Sequence, residues 1–184
     1  MHTVGFLNAK PMVTSPHRPG LDPLTWLPNR ALFEARLVRA VREVERRRFA
    51  LALLLIDLDR MEQVNATLGQ DFGDRILREA AARMARGLGA GAVLGRLQSD
   101  DFAAFFEVSD AAAAMKQAAT VLDLCAKPYI LDCVAAIVTV SIGIALYPRD
   151  ADDPATLLAR AERALNEAKI RGRDRFYPGE LKLC

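Results

Sequence analysis

Cysteine is scarce and scattered: Cys125, Cys133 and Cys184 show no CxxC spacing, which argues against a disulfide or zinc framework and for a reducing, cytoplasmic setting. An excess of either charge is missing too. The 25 basic and 23 acidic residues leave a balance of +2, which excludes a general electrostatic binder of nucleic acid or membrane surface. Long hydrophobic runs are absent. The apolar stretch Ala50 to Ile56 is far short of the roughly 20 residues that span a bilayer. Met1 to Gly20 lacks the long apolar core and small-residue cleavage site of a signal peptide. No internal repeat or low-complexity segment appears apart from the alanine run at 111–114. Glycine is also missing from what reads as the sharpest turn, where Gln98 and Ser99 stand instead.

What is there suits one domain of ordinary size: in 184 residues, 52% hydrophobic and 26% charged residues make a composition able to bury a real core. Residues 1–21, with Pro11, Pro16 and Pro19, read as an extended lead-in, residues 22–177 as the folded domain, and residues 178–184 as a tail or the start of a linker. In Ala31 to Arg48, Leu32, Phe33, Leu37, Ala40, Val41 and Val44 recur at helical steps, and the Arg46-Arg47-Arg48 end suits the helix dipole as a solvated terminus. Phe49 to Leu58 is almost continuously apolar, as expected of a central strand buried on both faces. Glu62 to Leu68 reads as a helical turn, and Gly69 and Gly73 as breaks before a helix from Asp74 to Leu88. Ser109 is expected to cap a helix at 110–126, Val134 to Tyr147 to form one long strand, and 153–170 a last helix before the short strand 175–177. The order predicts an α+β fold of ferredoxin-like type, a mostly antiparallel central sheet with long helices packed over one face.

Two acidic features invite chemistry. Asp57 and Asp59 alternate at the exit of the first strand and so are expected to share one face or edge. Taken alone, such an Asp-x-Asp is more often a turn than a metal site. Arg96-Leu97-Gln98-Ser99-Asp100-Asp101-Phe102 lies between strand-forming runs, so a β-hairpin would carry Asp100 and Asp101 at or just past its tip. If that hairpin lies beside the first strand, Asp57 meets Asp100 or Asp101 in the divided carboxylate set that phosphoryl-transfer metals use. Lys169 and Arg173, four apart, can aim two cations at phosphate oxygens.

Seven blocks in order resemble the GGDEF domains, or diguanylate cyclases: Asp22 to Arg30, Asp57-Leu58-Asp59, Asn65 to Gly69, Gly73-Asp74, Arg96 to Phe102, Ser141 to Ala145 and Ala168 to Arg173. The resemblance implies a nucleotidyl-cyclase palm in which two GTP-loaded domains face each other to make cyclic di-GMP. It implies that Asp57, the Leu58 carbonyl and Asp100 hold Mg2+. Asp100 and Asp101 are then the signature catalytic acids, Asp101 standing where the family usually has glutamate. Asn65 and Asp74 match the guanine-reading pair, and Lys169 and Arg173 the phosphate-binding pair.

The pattern also breaks. Gln98 and Ser99 replace the signature glycines, which bring the backbone close to the nucleotide. Glu62 replaces a lysine, a reversal worth roughly 3 kcal/mol at about 5 Å and an effective dielectric of about 20 before screening. Met61, Gln70 and Asn166 replace an aromatic, a histidine and a tyrosine, and Trp26 replaces the glycine of the entry motif. Gly89 and Ala92 stand where product-inhibited members carry Arg-x-x-Asp, so feedback binding of product there is not expected. The resulting expectation is a degenerate, catalytically impaired regulatory or GTP-binding module of bacterial cyclic di-GMP signalling. Its expected partners are a second copy or a neighbouring sensor or phosphodiesterase domain, with no nucleic acid and no membrane contact. A weakly active cyclase and a purely structural dimerisation module are the alternatives.

Overall fold

The computed structural model describes residues 19–47 and 49–179; Arg48, most of the lead-in and residues 180–184 of the expected tail lie outside them. The order is α1 (Arg30–Arg47), β1 (Ala50–Leu58), α2 (Met61–Leu68), α3 (Gln70–Leu88), β2 (Val93–Gln98), β3 (Asp101–Val108), α4 (Ala111–Cys125), β4 (Tyr129–Leu131), β5 (Val134–Ala136), β6 (Val140–Tyr147), α5 (Pro154–Ile170) and β7 (Arg175–Pro178). The main sheet runs β2-β3-β1-β6-β7, and β4-β5 form a separate ribbon. Only the β6–β7 pair is parallel; the other ladders are antiparallel. This is the expected α+β palm with a mostly antiparallel sheet.

The helices cover both faces of that sheet rather than one. Their placement follows from β1, whose side chains alternate between two apolar surroundings. Ala52, Leu54, Ile56 and Leu58 enter the core built with α3 and α4. Leu51, Leu53 and Leu55 enter the one built with α1 and α5. A strand apolar at every position needs cover on both sides. At Gly143 of β6, an added Cβ would lie 2.1 Å from the Ala161 carbonyl oxygen of α5, so α5 rests directly on the strand.

Three local expectations are corrected. Helix α3 begins at Gln70, and Gly73 lies within it rather than breaking it. That glycine is there for closeness, since a Cβ would fall 1.9 Å from Asn65 Oδ1. The cap of α4 is Asp110, not Ser109: its carboxylate accepts the Ala113 N–H at 2.8 Å. The strand expected over 134–147 divides into β5 and β6, because β5 pairs with β4 while Thr139 turns its carbonyl to the Asp59 N–H at 2.9 Å.

Candidate functional site

The cleft forms where β1 leaves the sheet. Register places Asp57 opposite Asp101, and the Leu58 N–H donates to the Asp100 carbonyl at 3.3 Å. Asp57, Asp100 and Asp101 therefore meet, each offering a carboxylate oxygen within 4.8 Å of the others. Such a set of hard oxygen donors fits a divalent cation. An open cleft of about 400 Å³ lies in front, lined by Asp57, Leu58, Glu62, Asp100, Lys169 and Arg173 among others. Burial pushes the Asp57 carboxyl up to about 6; the Lys169 ammonium opposes this, and Asp100 and Asp101 add to it. Lys169 Nζ lies 2.7 Å from Asp57 Oδ2, a partly buried charged contact of the strong kind.

The hairpin is built as expected, with Ser99 and Asp100 between β2 and β3 and a bulge at Leu97. Ser99 takes φ +35°, left-handed backbone that favours glycine. The Gln98 side chain turns along the hairpin, its Nε2 donating to Asp101 Oδ2 at 3.0 Å. Neither Gln98 nor Ser99 lines the cleft, whereas Glu62 does. Arg96 braces the turn from behind: its Nε donates to the Ser99 carbonyl at 2.8 Å, and its Nη1 to both Asp22 oxygens at 3.1 and 3.2 Å. Asp22 also accepts from the Thr25 N–H and hydroxyl. Burial raises the Asp22 carboxyl, but the Thr25 and Arg96 hydrogen bonds outweigh it and hold the group below its ordinary range. Trp26 keeps the entry turn closed at φ +60°, its N–H donating to the Asp22 carbonyl at 2.9 Å.

Asn65 and Asp74 sit on α2 and α3, outside the lining of the acidic cleft. Asn65 Oδ1 is buried with no partner among the described residues. Asp74 Oδ1 accepts from Gln70 Nε2 at 3.2 Å. Arg173 also lines the cleft. It stands beyond the end of α5, in a turn where Gly172, Arg173 and Asp174 all have positive φ.

Asp59 lies past the end of β1, and Arg60 at φ +63° bends the chain immediately after it. It stays outside the acidic cluster, and its partners were not foreseen: it is buried and accepts from Thr139 Oγ1 and Ser141 Oγ, each at 2.7 Å. The Asp22–Arg96 brace, the Gln98–Asp101 bond and the Lys169–Asp57 pair were not foreseen either. No spacing rule links residues 74 positions apart, as Asp22 and Arg96 are.

Comparison with known proteins agrees with this geometry. The family model described as "Diguanylate cyclase, GGDEF domain" matches residues 20–175. Diguanylate cyclase TpbB of Pseudomonas aeruginosa is 39% identical over 167 residues, which is 90% of this chain but 38% of that protein. The bifunctional diguanylate cyclase/cyclic di-GMP phosphodiesterase MucR of the same species is 34% identical over 84% of this chain and 23% of its own. The chain thus spans well under half the length of these relatives. The solved GGDEF domain of TpbB superposes with a TM-score of 0.85 at 39% identity, covering 88% of this chain and 95% of that one. With its palm, its acid-bearing hairpin and this match over nearly the whole described chain, the protein belongs to the GGDEF domain family.

Proposed function

We propose that this GGDEF domain is a GTP-binding regulatory module of cyclic di-GMP signalling whose cyclase activity is impaired. Asp57, the Leu58 carbonyl and Asp100 would hold Mg2+, which when bound supplies positive charge against phosphate oxygens. Lys169 and Arg173 hold the phosphates, and Asn65 and Asp74 read the guanine edge, an amide and a carboxylate matching its donors and acceptors. The observation that carries the impairment is the Gln98–Asp101 hydrogen bond at 3.0 Å. A carboxylate tied to its own hairpin is less available to the reacting hydroxyl, and Asp101 is already one methylene shorter than the family glutamate. Glu62 adds a negative charge to the wall that phosphates must approach. The cleft itself is open, which favours binding over turnover.

We place the working domain at residues 22–177, with residues 1–21 leading in and 178–184 leading out, in the cytoplasm where GTP is found. It pairs with a second copy or with a neighbouring sensor or phosphodiesterase domain. The surviving cluster Asp57, Asp100 and Asp101 favours one second reading, a weakly active cyclase. Incubating the artificially dimerised chain with GTP and magnesium separates the two. We expect no cyclic di-GMP from the wild type and measurable product from the triple variant Gln98→Gly, Ser99→Gly, Glu62→Lys. Wild-type turnover abolished by Asp100→Ala would establish the second reading instead. Magnesium-dependent GTP binding lost in Asp74→Ala would exclude a purely structural module.

A further inference from the structure

The buried carboxylate of Asp59 has no part in the acidic cluster, yet it is among the most heavily bonded side chains near the cleft. Its Oδ1 accepts the Ser141 hydroxyl at 2.7 Å and lies 3.8 Å from Arg173 Nε. Its Oδ2 accepts the Thr139 hydroxyl at 2.7 Å and the Asp174 N–H at 3.2 Å. Its own N–H donates to the Thr139 carbonyl at 2.9 Å. One residue thus ties the exit of β1 to the start of β6 and to the turn after α5.

That turn needs holding. Gly172, Arg173 and Asp174 take φ of +112°, +64° and +48° in succession, and two of the three are residues for which left-handed backbone is unfavourable. The Arg173 N–H donates to the Ala168 carbonyl at 3.0 Å, closing the helix end. On the far side the Asp174 N–H is held by Asp59. Between these two fixed points Arg173 projects to the cleft of Asp57, Asp100 and Lys169. A buried charge persists only when hydrogen-bonded and paired, and the groups that satisfy Asp59 include the turn it fixes.

We propose that Asp59 is a positioning residue: its carboxylate holds the left-handed turn Gly172–Asp174 and thereby sets Arg173 in the phosphate cleft, so phosphate affinity depends on a side chain that touches no ligand. The inference rests on the reading that this cleft takes the phosphates of GTP. The test compares full-length wild type, Asp59→Asn, Arg173→Ala and the double variant by calorimetry with magnesium-GTP and with guanosine. Asp59→Asn is expected to lose about tenfold in GTP affinity, the scale of one charge-assisted hydrogen bond, and to keep its guanosine affinity. The double variant should be no weaker than Arg173→Ala alone. Independent effects that multiply, or equal losses for GTP and guanosine, would overturn the proposal.

Trypsin supplies a reading free of nucleotide, since cleavage after Arg173 should accelerate in Asp59→Asn below its unfolding temperature. If the wild type binds no GTP, the proposed function fails. The hold on the turn is then judged by trypsin alone, and an unchanged cleavage rate refutes it. Should Asp59→Asn not fold, Thr139→Val, which removes one of the bonds to Oδ2, takes its place with a smaller loss of the same pattern.

Discussion

At the scale of single residues, the site is a contest between burial and pairing, and Asp57 shows it best. Burial lifts its carboxyl from 3.8 to about 6 even though Lys169 Nζ is 2.7 Å away. A carboxyl raised on folding contributes stability that is full below its unfolded value and lost as pH rises through its folded value. Between pH 4 and pH 7.5 the wild type should therefore lose stability through this group. Asp57→Asn, which cannot titrate, should gain on the wild type over the same range. Urea unfolding of both proteins at the two pH values checks this, and a constant difference between them would contradict it. The same burial bears on the proposed site, because any divalent cation entering the acidic cluster would have to displace Lys169 from Asp57.

At the scale of elements, the hairpin is not free-standing. Arg96 joins its Ser99 carbonyl to Asp22 of the entry turn, and both ends of the ion pair are largely shielded. Removing one partner of such a pair leaves the other buried and alone. Arg96→Met should cost about 2–4 kcal/mol of stability, and adding Asp22→Asn should cost little more, a coupling that a thermal double-mutant cycle measures. The close approach of α5 to β6 gives a second expectation. Gly143→Ala would drive a Cβ to 2.1 and 2.3 Å from helix backbone atoms, so the helix must retreat, at a cost of about 1–3 kcal/mol read as a lowered denaturant midpoint.

These elements also mark how far the sequence could be read. β1 was legible because an unbroken apolar run has no other stable use, and the hairpin because turn residues separate two strand-forming runs. The start of α3 was obscured because Gly73 looks like a break, when its function is to admit Asn65 across a helix–helix contact. The partners of Asp59 were hidden because Thr139 and Ser141 lie 80 and 82 positions along the chain. The Arg96–Asp22 brace is purely tertiary, so no local pattern announces it.

At the scale of the whole molecule, the two cores share the strands β1, β3 and β6. α3 and α4 stand on one side of β1, α1 and α5 on the other, so neither half retains its floor if β1 leaves. Equilibrium unfolding should therefore be a single transition, with Trp26 fluorescence from the entry turn and far-ultraviolet dichroism from the helices giving one midpoint. Separate midpoints would show that the entry turn detaches first. Among the described residues no helix is long and apolar enough to cross a membrane. The parallel strand β7 also gives the domain a polarity. Arg175 pairs beside Ser141, near the cleft, and Pro178 beside Ile144, so the backbone departs from the cleft rim as it goes. The entry turn, by contrast, is clasped to the hairpin through Arg96. A pull on the incoming chain is delivered to the hairpin that carries the acids, whereas a pull on the outgoing chain runs back along β7 to the turn that carries Arg173.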